Sequence, residues 1–263
     1  MTRIGAKDSQ ALLRHLATSG ERLFKTSDAQ EAASVVGIPS AKIPDLLRRL
    51  AQQGWLEPVQ RGVFTLAPEL TAVPLHEHEL AMKLARPAAI SHWSALMVHD
   101  LTDQLPRTTY VSTVKGAVTQ ASRHVHGFDF LFIQFTPERF FGVETTWSGD
   151  SQIQVTNLER TVIDAISRPK YCGDLVVAQL AVFAAGSRLN VERIVDYALK
   201  LDAATCKRLG WHLGRYGIDE ILLHKLREVP VRGYVRLDPG GPKRGHCNGK
   251  WSIQENVPEG LLR

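Results

Sequence analysis

Residues 38–66, IPSAKIPDLLRRLAQQGWLEPVQRGVFTL, change from a helical to a strand-like hydrophobic period within one short segment. The apolar positions 43, 46, 47 and 50 follow the i, i+3, i+4, i+7 spacing of a half-buried helix that opens near Ser40. After Gly54, the two short apolar runs 55–59 and 63–66 flank the turn Gln60-Arg61-Gly62, as in a β-hairpin. A helix followed at once by a hairpin with a basic tip excludes most purely helical folds.

Two more helices are predicted before this segment. Residues 8–18 place their leucines on one helical face, and a second helix runs to Val36, with Ser27 and Gln30 as its capping box. The order helix, helix, turn, helix, hairpin predicts a winged helix-turn-helix domain over residues 1–70, whose third helix is offered to the major groove of DNA.

A connector at residues 67–74 leads to a second, larger domain, predicted to be mixed α/β over residues 75–263. Helices are predicted at residues 78–84, 91–99, 156–167, 175–185, 191–199, 204–216 and 218–226. Strands are predicted at residues 109–114, 128–135, 234–237 and 250–254, with a loop at residues 238–249. Thr156 and Glu159 form a possible capping box, and Arg160 with Asp164 is interpreted as a surface ion pair. The predicted fold class is therefore α+β.

The composition is that of an ordinary globular protein. Of 263 residues, 44% are hydrophobic and 22% are charged. No apolar run approaches the roughly 20 residues of a membrane helix, and the N-terminal segment has no signal-peptide core. The three cysteines are odd in number and far apart, which argues against a disulfide framework. We expect a cytoplasmic protein without a membrane partner.

The net charge of +5 is concentrated in one part of the chain. Residues 198–250 contain 11 Lys and Arg against 5 Asp and Glu, whereas residues 1–197 contain 20 of each. A local positive field suits a polyanion such as nucleic acid, because phosphate contacts release counterions. Solubility alone would explain the same excess, so charge leaves both interpretations open.

The candidate DNA-binding residues lie on the third helix and at the hairpin tip. Arginine reads guanine and glutamine reads adenine, while lysine and serine hold phosphates. A solvated helix face would look much the same, but the hairpin with Arg61 at its tip favours DNA binding. The predicted contacts are Ser40, Lys42, Arg48, Arg49, Gln52 and Arg61. Asp45 on the same face indicates that not every residue there binds.

The glycine-rich C-terminal loop adds Lys243, Arg244 and Lys250 as predicted contacts to the phosphate backbone, with a surface hairpin as the equal alternative. A phosphate-binding P-loop is excluded by the spacing between Gly245 and Lys250 and by Trp251 in place of Ser or Thr. We expect no cofactor.

Catalytic and metal-binding patterns are weak. The histidine pairs 76/78, 92/99 and 124/126 lack a nearby third ligand, and the match of residues 112–115 to S-x-x-K falls on a predicted strand. No carboxylate cluster with nuclease spacing is present in the sequence. We therefore expect neither a metal site nor enzymatic activity.

The chain resembles the AbiEi family, whose members are the antitoxins and transcriptional regulators of type IV toxin-antitoxin systems. The resemblance runs through nearly the whole length. It rests on GWLEPVQRGVFTL, ISHWSALMVHDLTDQLP with YVSTVKG, VTNLERTVIDAISRPKYCGD, KRLGWHLGRYG and YVRLDPGGPKRGHCNGKWSIQENVP.

The resemblance implies a non-catalytic protein that binds inverted repeats in its own promoter, represses the shared operon and antagonises a nucleotidyltransferase-like toxin in phage defence. The resemblance implies a role in DNA binding for Ser40, Lys42, Arg48, Arg49 and Arg61. It does not imply that the protein contacts the toxin directly. Pro44 and Asp45 depart from the usual composition of such helices. The rival interpretations are a nuclease targeted by its winged helix and a protein-interaction module without DNA binding.

Overall fold

The computed structural model describes residues 6–19, 22–71, 75–258 and 260. The protein is α+β, as predicted, with a small N-terminal unit and a larger mixed unit after it. The predicted connector ends on residues 72–74, which lie outside the described residues. The domain boundary therefore stays a prediction.

The N-terminal unit is a winged helix. Its three-stranded antiparallel sheet has the order β1-β3-β2. Its elements are α1 (Ala6–Thr18), β1 (Leu23–Lys25), α2 (Thr26–Val35), α3 (Ile43–Gln52), β2 (Leu56–Gln60) and β3 (Val63–Leu66).

Helix α3 forms where the periodicity predicts it. Its apolar stripe, Ile43, Leu46, Leu47 and Leu50, is at most 2% exposed and packs with α1 and with Phe24. Pro44 lies in the first turn, where a missing N–H removes no helical hydrogen bond. Burial of this stripe fixes which face of α3 points outward.

The predicted capping box of α2 is wrong. The helix begins at Thr26, and the Asp28 carboxylate accepts the backbone N–H of Lys25 at 2.9 Å. Ser27 instead donates its hydroxyl to Asp28 at 3.0 Å. The start is set by tertiary structure, because Lys25 is still paired with Val63 of β3.

The larger unit is built on a mixed six-stranded sheet with the order β6-β7-β5-β4-β9-β8. The strands are β4 (Ala88–Ile90), β5 (Thr108–Val114), β6 (Ser122–Val125), β7 (Phe128–Phe135), β8 (Val143–Ser148) and β9 (Ser151–Thr156). The long central strands β5 and β7 are parallel. Helix α4 (Glu77–Leu84) packs on β4 and β9, and α5 (His92–Val98) packs on β5.

A helical group follows the sheet. Its helices are α6 (Leu158–Ser167), α7 (Leu175–Ala185), α8 (Val191–Leu201), α9 (Ala203–Leu213) and α10 (Glu220–Arg227). A small sheet with the order β10-β12-β11 packs on α9 and consists of β10 (Val235–Arg236), β11 (His246–Asn248) and β12 (Ile253–Glu255). Strand β11 lies inside the predicted loop 238–249, so that loop prediction is wrong for these three residues.

The winged helix docks on the larger unit through its sheet. Leu23 and Val63 pack in one core with Leu80 and Leu84 of α4. Arg22 crosses the same boundary, with an ion pair to Glu79 at 3.1 Å and a hydrogen bond to Ser151 at 3.0 Å. Docking through β1 and β3 keeps the outward face of α3 out of this contact.

The predicted surface ion pair of Arg160 and Asp164 is in fact buried. The two side chains are 2% and 1% exposed, and Arg160 Nε lies 3.0 Å from both oxygens of Asp164. The i, i+4 spacing is correct, but α6 is covered on this face by the rings of Phe135 and Phe141. The surface interpretation is therefore wrong.

The predicted capping box at the start of α6 is wrong as well. The cap is Asn157, whose side-chain oxygen accepts the N–H of Arg160 at 2.9 Å. Thr156 belongs to β9, and Glu159 accepts the backbone N–H of Asn190 at 2.9 Å. Glu159 thus holds α8 rather than its own helix.

Gly210 gives a sharp test of the packing between α9 and the small sheet. A Cβ at this position would lie 2.1 Å from Trp251, which is 4% exposed. Alanine in a helix is usually about 1 kcal/mol more stable than glycine, but overpacking costs about 1 to 3 kcal/mol. We expect Gly210→Ala to lower the free energy of unfolding, measured by urea denaturation.

Gly249→Ala is the matched control. Apart from its chain neighbours, no residue has an atom within 4 Å of the position that a Cβ of residue 249 would take. The stability of this variant should stay within about 0.5 kcal/mol of the parent protein. A Gly210→Ala variant that is more stable than the parent would contradict the observed packing of Trp251.

Candidate nucleic-acid interface

The outward face of α3 is open to solvent. Pro44, Asp45, Arg48 and Gln52 are exposed, while the leucines of the same helix are buried. The larger unit packs on the sheet of the winged helix, through Leu23, Val63 and Val59. A duplex therefore has steric access to this face.

A groove of about 690 Å³ separates α3 from the hairpin. It brings together three predicted contacts, Arg48, Gln52 and Arg61. The remaining lining residues are Thr26, Pro44, Leu47, Ala51, Pro58, Gly62 and Phe64. Gly62 adopts a φ of +73°, which a glycine at the hairpin tip accepts without strain.

Arg48 is held only loosely. Its guanidinium forms an ion pair with Asp45 at 3.1 Å, and the two side chains are 70% and 80% exposed. Such exposed pairs contribute about 0 to 1 kcal/mol. The guanidinium can therefore exchange this carboxylate for a guanine edge, which offers two acceptors in the same fork geometry.

Ser40 and Lys42 lie on the short 3-10 turn Ser40–Lys42 that leads into α3. Ser40 is exposed and Lys42 is half-buried. The N-terminal end of a helix carries partial positive charge and unpaired N–H groups, so this end suits a phosphate. Their predicted role is thus compatible with their place.

Arg49 is a predicted contact on α3 that does not line the groove. It is half-buried, and its Nη2 donates to the hydroxyl of Ser9 on α1 at 3.2 Å. It lines a different cavity of about 680 Å³ together with Leu13 and Trp55. Residues 48 and 49 diverge because consecutive helical residues point about 100° apart.

Lys243, Arg244 and Lys250 are exposed in the segment of the small β10–β12 sheet. That sheet packs on α9 through Trp251 and Ile253, in a hydrophobic core separate from that of the winged helix. The structure does not gather these three cations with Arg48 and Arg61. Their role as phosphate contacts stays a prediction.

Part of the basic excess of residues 198–250 is internal. Lys207 and Arg208 are only 3% and 8% exposed. Lys207 donates to the carbonyls of Leu226 and Arg227 at the end of α10, and Arg208 donates to the carbonyl of Arg236 at 2.9 Å. Burial lowers the pKa of Lys207. These cations stabilise the helical group, so the local charge count overstates the positive surface.

Thr26 lines the groove although no sequence pattern predicts it there. Thr26 reaches the hairpin because its backbone N–H donates to the carbonyl of Gly62 at 3.0 Å. This contact depends on the pairing of β1 with β3, and the three residues of β1 carry no periodic pattern that predicts a strand. The position of Thr26 in the groove could therefore be predicted only if β1 were predicted first.

Residues 6–19, 22–71 and 75–258 contain no group of three His, Cys, Asp or Glu side chains arranged to hold a metal ion. In the same part of the chain, none of the helices has the length and apolar character that crossing a membrane requires.

Comparison with known proteins places part of the chain in a described family. Residues 10–67 match the family model described as "Transcriptional regulator, AbiEi antitoxin". The match confirms the resemblance to the AbiEi family over this segment. The curated proteins contain no match to this chain.

The whole fold is similar to the crystal structure of the RV2827C protein from Mycobacterium tuberculosis. The TM-score is 0.67, and the alignment covers 99% of this chain and 95% of that chain. The sequences are 14% identical, so the likeness concerns the fold alone. It confirms the α+β fold class.

Proposed function

We propose that this protein is a repressor that binds operator DNA through α3 and its hairpin. The observation that carries the proposal is the open groove between α3 and the hairpin, with Arg48, Gln52 and Arg61 on its walls. The partner is double-stranded DNA carrying inverted repeats in the protein's own promoter. Repression follows because bound protein excludes the polymerase from that promoter.

In the proposed complex, α3 lies in the major groove of the duplex. Arg48 and Gln52 face base edges there, because both project from the exposed side of the helix. Arg61 at the hairpin tip meets the phosphate backbone beside it, and Ser40 and Lys42 hold a phosphate at the start of the helix. Base contacts thus give specificity, and phosphate contacts give position.

The second part of the proposal is antagonism of a companion nucleotidyltransferase-like toxin. Its support is the family match together with the resemblance of the larger unit to AbiEi sequence motifs. Co-expression of the toxin with this protein in a heterologous host should restore growth, and pull-down of a tagged copy would show whether the two touch. Continued growth arrest in the presence of the folded protein would contradict this part.

The Arg48→Ala variant tests base reading. We expect a loss of about 1 to 3 kcal/mol in affinity for a duplex from the region upstream of the protein's own reading frame, because a bidentate base contact disappears. Binding to a scrambled duplex should change little. Fluorescence anisotropy with both duplexes measures the two affinities.

Arg49→Ala is the matched control for Arg48→Ala, since Arg49 points to Ser9 rather than into the groove. Its affinity for the upstream duplex should stay within about 0.5 kcal/mol of the parent, once circular dichroism shows an intact fold. Equal losses on both duplexes for Arg48→Ala would argue against base reading. If the parent protein binds no duplex even at low salt, the protein is better explained as a protein-interaction module.

Binding without catalysis is also part of the proposal. Incubation with duplex and magnesium should leave the DNA intact. None of the described residues that line the groove is an aspartate or a glutamate, which a nuclease would need to hold magnesium. Magnesium-dependent cleavage by the purified protein would overturn this and favour the nuclease alternative.

A further inference from the structure

Four cations lie at the boundary between the two units, on β1, on α4, just after α4 and on β6. We name Lys25, Lys83, Arg86 and Arg123 the junction cations. Lys25 ends β1 opposite Val63, and the next residue, Thr26, donates its backbone N–H to Gly62 at 3.0 Å. Lys25 is therefore adjacent to the turn that carries Arg61.

Lys83, on α4, and Arg86, which follows that helix by two residues, both belong to the larger unit. Burial, together with the positive charges of Arg86 and Lys83, lowers the pKa of Lys25. Asp28 offsets part of this charge, since its carboxylate lies 3.5 Å from Lys83 Nζ. Three cations against one carboxylate leave a net positive site here.

Arg123 lies on the other flank of the hairpin. It projects from strand β6, and its Nη2 donates to the side-chain oxygen of Gln60 at 2.9 Å. On the paired strand β7, Asp129 precedes Phe130, the partner of Arg123, and its carboxylate lies 2.8 Å from Nδ1 of His124. Asp129 therefore has its hydrogen-bond partner in His124, while Arg123 has its own in Gln60.

The arrangement is fixed rather than incidental. Leu23 and Val63 are 1% and 3% exposed and pack with Leu80 and Leu84 in a shared core. Because the sheet of the winged helix is packed on α4, the junction cations hold set positions relative to Arg61. Like charges held together destabilise the free protein, and a polyanion beside them relieves that repulsion.

We propose that the DNA-binding surface extends beyond the winged helix onto the larger unit, where Lys83 and Arg86 on one flank and Arg123 on the other contact the phosphates beside those held by Arg61. This inference rests on the proposed DNA binding and adds the second unit to it. A winged helix alone would then bind more weakly than the full chain, because it lacks three of these side chains.

The test is the salt dependence of binding by the full chain to a fluorescein-labelled duplex of mixed sequence. The double variant Arg86→Gln with Arg123→Gln removes two phosphate contacts and leaves the Lys83–Asp28 pair intact. The log–log slope should fall by about 2, and affinity near 0.1 M salt should fall roughly five- to ten-fold per contact. The matched control is Lys225→Gln with Arg232→Gln, which removes the same charge from exposed positions in and after α10.

The outcomes separate this inference from the proposed function. A smaller slope for the junction variant than for the control, with unchanged melting temperatures, supports the inference. Equal slopes for the junction and control variants overturn it and leave DNA binding by the winged helix in place. A parent protein without measurable affinity for any duplex overturns both proposals.

Discussion

Replacing Asp164 with alanine is expected to lower the free energy of unfolding by about 3 to 5 kcal/mol. The substitution leaves the Arg160 guanidinium, which is 2% exposed, without its counter-charge in a region of low dielectric. The remaining partners are the carbonyl of Arg139 at 3.0 Å and the rings of Phe141 at 4.4 Å and Phe135 at 5.1 Å. None of them carries the negative charge that the buried cation requires.

Urea denaturation of the Asp164→Ala variant measures this loss, and Asp45→Ala supplies the matched control. Asp45 also pairs with an arginine within one helix, but its side chain is 80% exposed. We expect less than about 1 kcal/mol for the control, because solvent screens exposed pairs. If Asp164→Ala lowers the free energy of unfolding no more than Asp45→Ala does, the buried pair contributes less to stability than its geometry indicates.

A second variant separates the buried charge from the packing around it. The double replacement Arg160→Met with Asp164→Leu removes both charges while it keeps apolar volume. Its stability should be higher than that of Asp164→Ala, because a buried ion pair replaced by apolar side chains is often neutral or stabilising. This comparison identifies uncompensated charge, rather than lost contacts, as the cause.

The winged helix could be predicted from the sequence because its signals are local. The leucine stripe of α3 and the glycine between two apolar runs are complete within residues 38–66, and burial then follows the predicted face. Helix α7 was likewise predicted with the bounds that it has, residues 175–185, since its apolar run is continuous. Gln52 and Arg61 reach the same groove for the same local reason.

The features that were missed depend on contacts between distant residues. An arginine and an aspartate four residues apart have the same spacing in a surface pair and in a buried pair, so the burial of Arg160 is set by Phe135 and Phe141 rather than by its own helix. Arg49 points about 100° away from Arg48 around α3, and the packing of α1 on that side then gives it Ser9 as a partner. The junction cations are separated by up to about a hundred residues in the chain and meet only because β1 packs on α4.

Acidification should destabilise this protein steeply through its buried histidines. His92 and His212 are 0% and 3% exposed, and the Nε2 atom of each is buried without a hydrogen-bond partner among the described residues. Burial lowers the pKa of His92 to about 4 and that of His212 to about 3. Both rings are therefore neutral in the folded protein at pH 7.

Between pH 6.5 and about 4, the unfolded chain binds a proton at each of these histidines and the folded protein does not. Stability is therefore fully present above pH 6.5 and is lost as the pH falls, by about 1.4 kcal/mol per pH unit for each histidine. Two such groups remove roughly 5 to 6 kcal/mol by pH 4.5, which is comparable to the whole stability of many proteins.

Urea denaturation as a function of pH measures this slope, and His212→Gln against His224→Gln isolates one group. His224 is 63% exposed on α10, so its replacement should leave the slope unchanged. Replacement of His212 should lower the slope by about 1.4 kcal/mol per pH unit, because the unfolded chain then takes up one proton fewer. An identical slope for the two variants would mean that His212 takes up its proton in the folded protein as readily as in the unfolded chain. That result would contradict its burial on α9, where its Nε2 atom has no hydrogen-bond partner among the described residues.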